Sequence, residues 1–161
     1  MSSIHACASL ALLLALGCAP GAQAAGGLPP APAAGQPDVS QDLAEAQRLI
    51  NQKDWLGALA QLKIAQRKDR KNADVYNLMG YSYRKSGQLD DAFDSYHTAL
   101  RLDPRHRGAH EYIGEAYLQA HQPDKAREHL AALRTICGEG CDEYQDLAKA
   151  LAAYPSTPVA K

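Results

Sequence analysis

The sequence predicts an all-α chain, a solenoid of three tandem helix–turn–helix units closed by one further helix. Alanines recur at Ala58, Ala92 and Ala126, 34 residues apart, and each is followed four residues later by a large apolar side chain, Leu62, Tyr96 or Leu130. The same offset relates Leu49, Tyr83 and Tyr117, then Ala46, Gly80 and Gly114, and then Ala65, Ala99 and Leu133. Within a unit, apolar positions such as Tyr76, Met79, Gly80 and Tyr83 are spaced by three and four, the period of one helical face.

The chain begins with an apolar run at residues 10–16 that is too short to span a bilayer. It ends in small residues, and Ala22, Gln23 and Ala24 form a cleavage-type site, so residues 1–24 read as an export signal although residues 1–6 contain no Lys or Arg. An alternative uses Gly17 and Cys18 as a lipoprotein cleavage site, which would leave Cys18 as a lipid-bearing N-terminus. Residues 25–38 are rich in Gly, Pro and Ala without periodic apolar side chains, and are expected to be a flexible tether. The same holds for the tail, residues 155–161.

Three units follow, 39–72, 73–106 and 107–140. The second turns at Lys85, Ser86, Gly87 and Gln88, where Gly87 suits the left-handed residue that closes a helix. His121 and Pro123 take that place in the third unit. Asp90 and Asp124 then fall in the first turn of the following helix, at the positive end of its dipole. In 141–154, Tyr144, Leu147, Leu151 and Tyr154 form one apolar stripe, expected to cover the last unit as a capping helix. Small residues at Gly80, Gly114 and Ala92 are expected to let helix backbones approach, with Tyr or Leu of the companion helix filling the gap.

Tyr76, Met79, Gly80, Tyr83, Gly87, Ala92, Tyr96, Ala99 and Pro104 in the second unit resemble the tetratricopeptide repeat, as do Ile113, Gly114, Tyr117, Ala126, Leu130 and Leu133 in the third, with His110 replacing an aromatic. The first unit departs most. Asp42 and Glu45 stand where the pattern wants apolar residues, as expected of a terminal repeat that turns one side to water. The resemblance implies a right-handed superhelix whose first helices line a concave groove. It places Leu43, Gln47, Ile50 and Asn51 on that groove from the first unit. The second contributes Asp74, Asn77, Tyr81, Arg84 and Lys85, and the third Glu111, Glu115, Leu118 and Gln119. Tyr81 is the expected anchor, an aromatic two residues from the core position Tyr83. Some family members clamp a peptide carboxylate with Lys, Arg and Asn on successive first helices. Leu43, Gln47, Glu111 and Glu115 do not supply that set.

Seventeen Lys and Arg against eighteen Asp and Glu leave a net charge of -1, which gives no global attraction to nucleic acid. Basic residues nonetheless cluster in the links, Arg67, Lys68, Arg70 and Lys71 after the first unit and Arg101, Arg105, His106 and Arg107 after the second. On a solenoid these links share an edge, which could meet anionic lipid or an acidic partner; the plainer reading is solvated linker charge favoured at helix C-termini. Cys137 and Cys141 flank the junction with the last helix and predict a disulfide in an oxidising compartment. Their spacing also resembles that of Sco-type copper-delivery proteins, so a thiol-redox or copper-handling accessory is the alternative function. His106 and His110 are separated by a link and lack a third ligand, so no metal site is assigned.

No phosphate loop or nucleophile motif is present. The expected function is therefore a non-enzymatic protein or peptide-binding scaffold of the bacterial envelope, without a cofactor. It would be exported and periplasmic, with envelope lipoprotein or secreted protein as alternatives, and membrane-anchored only through a lipidated Cys18.

Overall fold

The computed structural model describes residues 38–155. The export segment with Cys18, nearly all of the tether and all but the first residue of the tail lie outside the described residues. Seven helices follow one another: α1 (Ser40–Asn51), α2 (Trp55–Lys68), α3 (Ala73–Lys85), α4 (Leu89–Leu102), α5 (Arg107–Gln119), α6 (Pro123–Cys137) and α7 (Asp142–Ala153). No strand occurs among the described residues, and none of the helices there is long and apolar enough to cross a membrane.

The helices start where polar side chains satisfy free backbone N–H groups. Asp54 accepts from Gly57 N–H at 2.9 Å for α2, Asn72 from Val75 N–H at 3.2 Å for α3, and the His106 ring from Ala109 N–H at 3.1 Å for α5. The first helix of each unit closes in one way. Lys53, Gly87 and His121, spaced 34 apart, all have positive φ, of 60°, 85° and 58°. Around each, the same two bonds form: Asp54, Gln88 and Gln122 N–H reach back to the carbonyls of Leu49, Tyr83 and Tyr117, and the left-handed residue to Ile50, Arg84 and Leu118. These are Schellman closures. Gly87 and His121 were expected in that place; Lys53, a residue with no turn preference, shows that the register outlasts the residue type.

Each helix packs on the next in the chain, and the first helices also pack on one another, α1 on α3, α3 on α5 and α5 on α7. The second helices α2, α4 and α6 make no such contacts among themselves. The stack therefore has an inner layer of α1, α3, α5 and α7 and an outer layer of α2, α4 and α6. Ala46, Ala58, Ala92, Ala99 and Ala126 are fully buried, as are Leu62, Tyr96, Ile113, Leu133 and Leu147. α7 belongs to the inner layer by register too, since Tyr144, Leu147 and Leu151 stand 34 residues after His110, Ile113 and Tyr117. It is the first helix of a fourth unit.

Two sequence expectations need correction. Asp42 does not face water: it is only 6% exposed and accepts from Gln61 at 2.9 Å and from Lys68 at 2.7 Å. Its charge is tolerated at the α1–α2 contact because a cation and an amide from α2 both reach it. The gap at Gly80 is filled by its companion helix as expected, since a Cβ there would lie 2.5 Å from the Tyr96 ring. At Gly114 the intruder is instead Leu147 of α7, 2.6 Å from an added Cβ. Leu130, the counterpart of Tyr96, is shorter, and α7 occupies the space.

These contacts predict the order of two glycine substitutions. Gly80→Ala forces a methyl into a fully buried ring and is expected to cost about 1 to 3 kcal/mol. Gly87→Ala meets nothing within 4 Å and should lose only about 1 kcal/mol through its left-handed backbone. Urea denaturation midpoints decide the order, and a larger loss at Gly87 would contradict the steric account.

Candidate functional site

Three units contribute a row of three aromatic rings, two from the inner helices α3 and α5 and one, Trp55, from the start of α2. Tyr81 on α3 lies between Trp55, at 6.2 Å and 67° in an edge contact, and Tyr112 on α5, at 4.9 Å and 53°. With Gln47, Ile50, Asn51, Lys53 and Leu78 they line an open depression of about 290 Å³. Trp55 and Tyr112 had no part in the sequence expectation, which considered only the groove positions known from the family resemblance. The available signal was that Trp55 is the only tryptophan in the chain and opens a helix directly after the first turn.

The expected groove residues separate into two sets. Gln47 and Asn51 are exposed on α1 and hydrogen-bond each other at 3.1 Å, and Lys85 is exposed with its ammonium 5.3 Å from the Tyr81 ring centre. Gln119 is exposed at the end of α5. Ile50 and Leu118 are buried, and Leu43 packs on the first core cluster. Arg84 is not a surface cation: it is 6% exposed, beneath the rings, 5.5 Å from the Tyr81 centre and 6.0 Å from that of Tyr112. Its guanidinium meets the Glu115 carboxylate at 2.5 Å. Burial works against the Arg84 charge, but Tyr96 and Glu115 outweigh it and hold its pKa above the ordinary arginine value. Asn77 and Glu111 are also buried, at 6% and 9% exposure. Asp74 lies elsewhere, paired with His106 at 3.0 Å beside Arg105, Arg107 and Glu143.

The basic edge is interrupted by acids. Lys68 is held by Asp42, Arg107 faces Glu143 at 3.4 Å, and Arg105 donates to the Ile136 carbonyl at 3.3 Å. Arg67 and Arg70 border a shallow hollow with Gln66 and Tyr76, and Lys71 is exposed in the link between α2 and α3. Cys137 and Cys141 are joined as a disulfide, with Cα atoms 6.0 Å apart, across the link from α6 to α7.

His106 and His110 turn to different partners. His110 lies 3.1 Å from the Pro104 carbonyl through Nε2 and 2.9 Å from His129 through Nδ1 on both rings. The carbonyl only accepts, so His110 carries its proton on Nε2 and accepts at Nδ1 from His129 Nδ1–H. The acceptor role of Nδ1 keeps His110 neutral. Burial, then His110 and His97, push His129 down to about 4, and burial lowers His110 as well.

The profile of the tetratricopeptide repeat matches residues 43–96 and 77–140, most of the described chain. The chain belongs to the tetratricopeptide repeat family. No curated protein sequence matches it. Among solved structures, this tetratricopeptide array is similar to the TPR2B domain of yeast Sti1, in a complex with pHsp70, at 17% identity and a TM-score of 0.66 over 71% of this chain and 93% of that one. The Sgt2 domain of Aspergillus fumigatus gives 19% and 0.66 over 78% and 88%. The Yersinia enterocolitica secretion chaperone SycD, with a peptide of the translocator YopD, gives 17% and 0.61 over 71% and 86%. At these identities the likeness shows the fold.

The neutral His110–His129 pair sets an acid limit on this array. An unfolded histidine takes up its proton near pH 6.5, whereas folded His129 resists until about 4, so its contribution is complete above 6.5 and is lost as pH falls through that window. After discounting for partial exposure, about 1 to 2 kcal/mol should be lost. His129→Leu should flatten the melting temperature between pH 7 and pH 4.5; an unaltered slope would place the acid sensitivity elsewhere.

Proposed function

We propose that this chain is a non-enzymatic adaptor that holds an extended segment of a partner protein against α1, α3 and α5. The observation that carries the reading is the Trp55, Tyr81 and Tyr112 row. Rigid aromatic faces on three successive units supply contact area at low conformational cost, and the buried Arg84 beneath them leaves their outer faces to a ligand. The complexes that similar folds form, Sti1 with pHsp70 and SycD with a peptide of YopD, support a protein-binding role. In this proposal the protein works in the bacterial envelope, and the N-terminal segment delivers it there. Intact mass of the protein from membrane and soluble fractions distinguishes cleavage after Ala24 from lipidation at Cys18.

The disulfide is assigned a structural role in the same scheme. It ties the end of α6 to the start of α7, whose Leu147 seals the core over Gly114. Closing so short a loop contributes about 2 kcal/mol in the chain-entropy view. A Cys137→Ser, Cys141→Ser variant should lose about that much stability and keep its partners; loss of partners from the folded variant would favour the thiol-redox or copper-handling reading.

Cross-linking in envelope extract tests the groove itself. A Trp55→Ala, Tyr81→Ala variant that keeps its helical circular dichroism should lose a discrete partner that the unaltered chain captures. An identical set of captured proteins would remove the aromatic row from the working surface.

A further inference from the structure

Toward α7 the groove changes character. Glu111 on α5 lies within electrostatic reach of Glu115 on its own helix, of Glu143 and Asp146 on α7, and of Arg84 on α3. Arg84 is already engaged by Glu115 at 2.5 Å, and Glu143 by Arg107 at 3.4 Å. Glu111 has neither a hydrogen bond nor an ion pair among the described residues, although only 9% of its surface is open.

The second observation comes from α3. Asn77 is 6% exposed, and its Oδ1 accepts no hydrogen bond among the described residues. Its amide lies over the start of α5, with Nδ2 3.2 Å from where a Cβ on Gly108 would stand. Gly108 and Glu111 are three residues apart on one face of α5, and Gly108 has no side chain to separate the amide from the carboxyl. Asn77 Oδ1, a buried acceptor without a partner among the described residues, thus belongs to a side chain packed one turn from Glu111, in a field where carboxylates outnumber the accessible cations. A buried acceptor left unmet costs about 1 to 3 kcal/mol, so a donor that carries positive charge is the complementary ligand.

We propose that the α5 end of the groove takes a lysine or arginine side chain of the bound segment, with Glu111 as its carboxylate and Asn77 as its neutral acceptor. The inference rests on the adaptor reading above and adds the chemistry of the partner: a segment with a basic residue beside one that packs on Tyr81 and Tyr112. This preference is opposite in sign to the clamping of a peptide carboxylate. Burial, then Glu115, Asp146 and Glu143, push the Glu111 carboxyl up to about 8. It is mostly protonated at pH 7, and an incoming ammonium or guanidinium ionises it, so binding releases roughly one proton per peptide.

The test pans a phage-displayed random peptide library on the full chain and measures the selected synthetic peptides by the emission of Trp55. Calorimetry at pH 7 in two buffers of different ionisation enthalpy then counts protons. Peptides sharing a Lys or Arg, weakened at least tenfold by Glu111→Gln and releasing a proton only from the unaltered chain, are the expected result. Asn77→Ser should weaken the same peptides, and circular dichroism verifies that both variants fold. Peptides that shift Trp55 emission yet share no basic residue, or bind Glu111→Gln equally well, overturn this proposal while leaving the groove reading intact. A library yielding no peptide that reaches Trp55 overturns both.

Discussion

The contact of Tyr96 with Gly80 and Arg84 is the one on which most of this array depends. The Tyr96 ring is fully buried against the bare backbone of α3, because Gly80 offers no side chain to hold it away. Burial pushes the Tyr96 hydroxyl far up, so it stays protonated next to Arg84. Arg84 in turn reaches Glu115 of the next unit and lies under Tyr81 and Tyr112. One position therefore packs the second unit, joins it to the third and supports the floor of the groove. Buried ion pairs add little net stability because both charges lose water. What this one supplies is a fixed place for the rings above it.

Repetition acts on the backbone more strictly than on side chains. The left-handed closures at Lys53, Gly87 and His121 recur with the same hydrogen bonds although only one of the three is glycine. Asp69 and Asp103 recur likewise as extended residues after α2 and α4, each accepting from the N–H two residues on, of Lys71 and Arg105. The third link breaks the pattern: Gly138 follows α6 at a φ of 80°, and the disulfide replaces the aspartate turn. The array thus keeps its register where units must stack and departs from it at the last junction, where α7 settles over Gly114.

The outer edge and the inner groove handle charge differently. On the edge, acids and bases alternate and pair through exposed contacts such as Arg134 with Glu139 at 3.0 Å, each worth little against solvent screening. In the groove, carboxyls of α5 and α7 gather with few cations free to answer them. A near-neutral total charge hides this local imbalance.

The fold was legible in the sequence because it rests on local periodicity. Columns of small and large residues 34 apart specify helix faces, turns and pairing of neighbours, and all of these recur in the backbone. The turns at Gly87 and His121, the starts at Asp90 and Asp124 and the apolar stripe of α7 could be read the same way. What only the tertiary structure decided is which side chain of a neighbouring helix reaches a given face. Asp42 is buried because Gln61 and Lys68 of α2 converge on it. Arg84 is a core residue because Glu115 and Tyr96 meet it, Trp55 enters the groove from a second helix, and Gly114 receives Leu147. Such meetings depend on side-chain length and approach across units, which the spacing along the chain does not record.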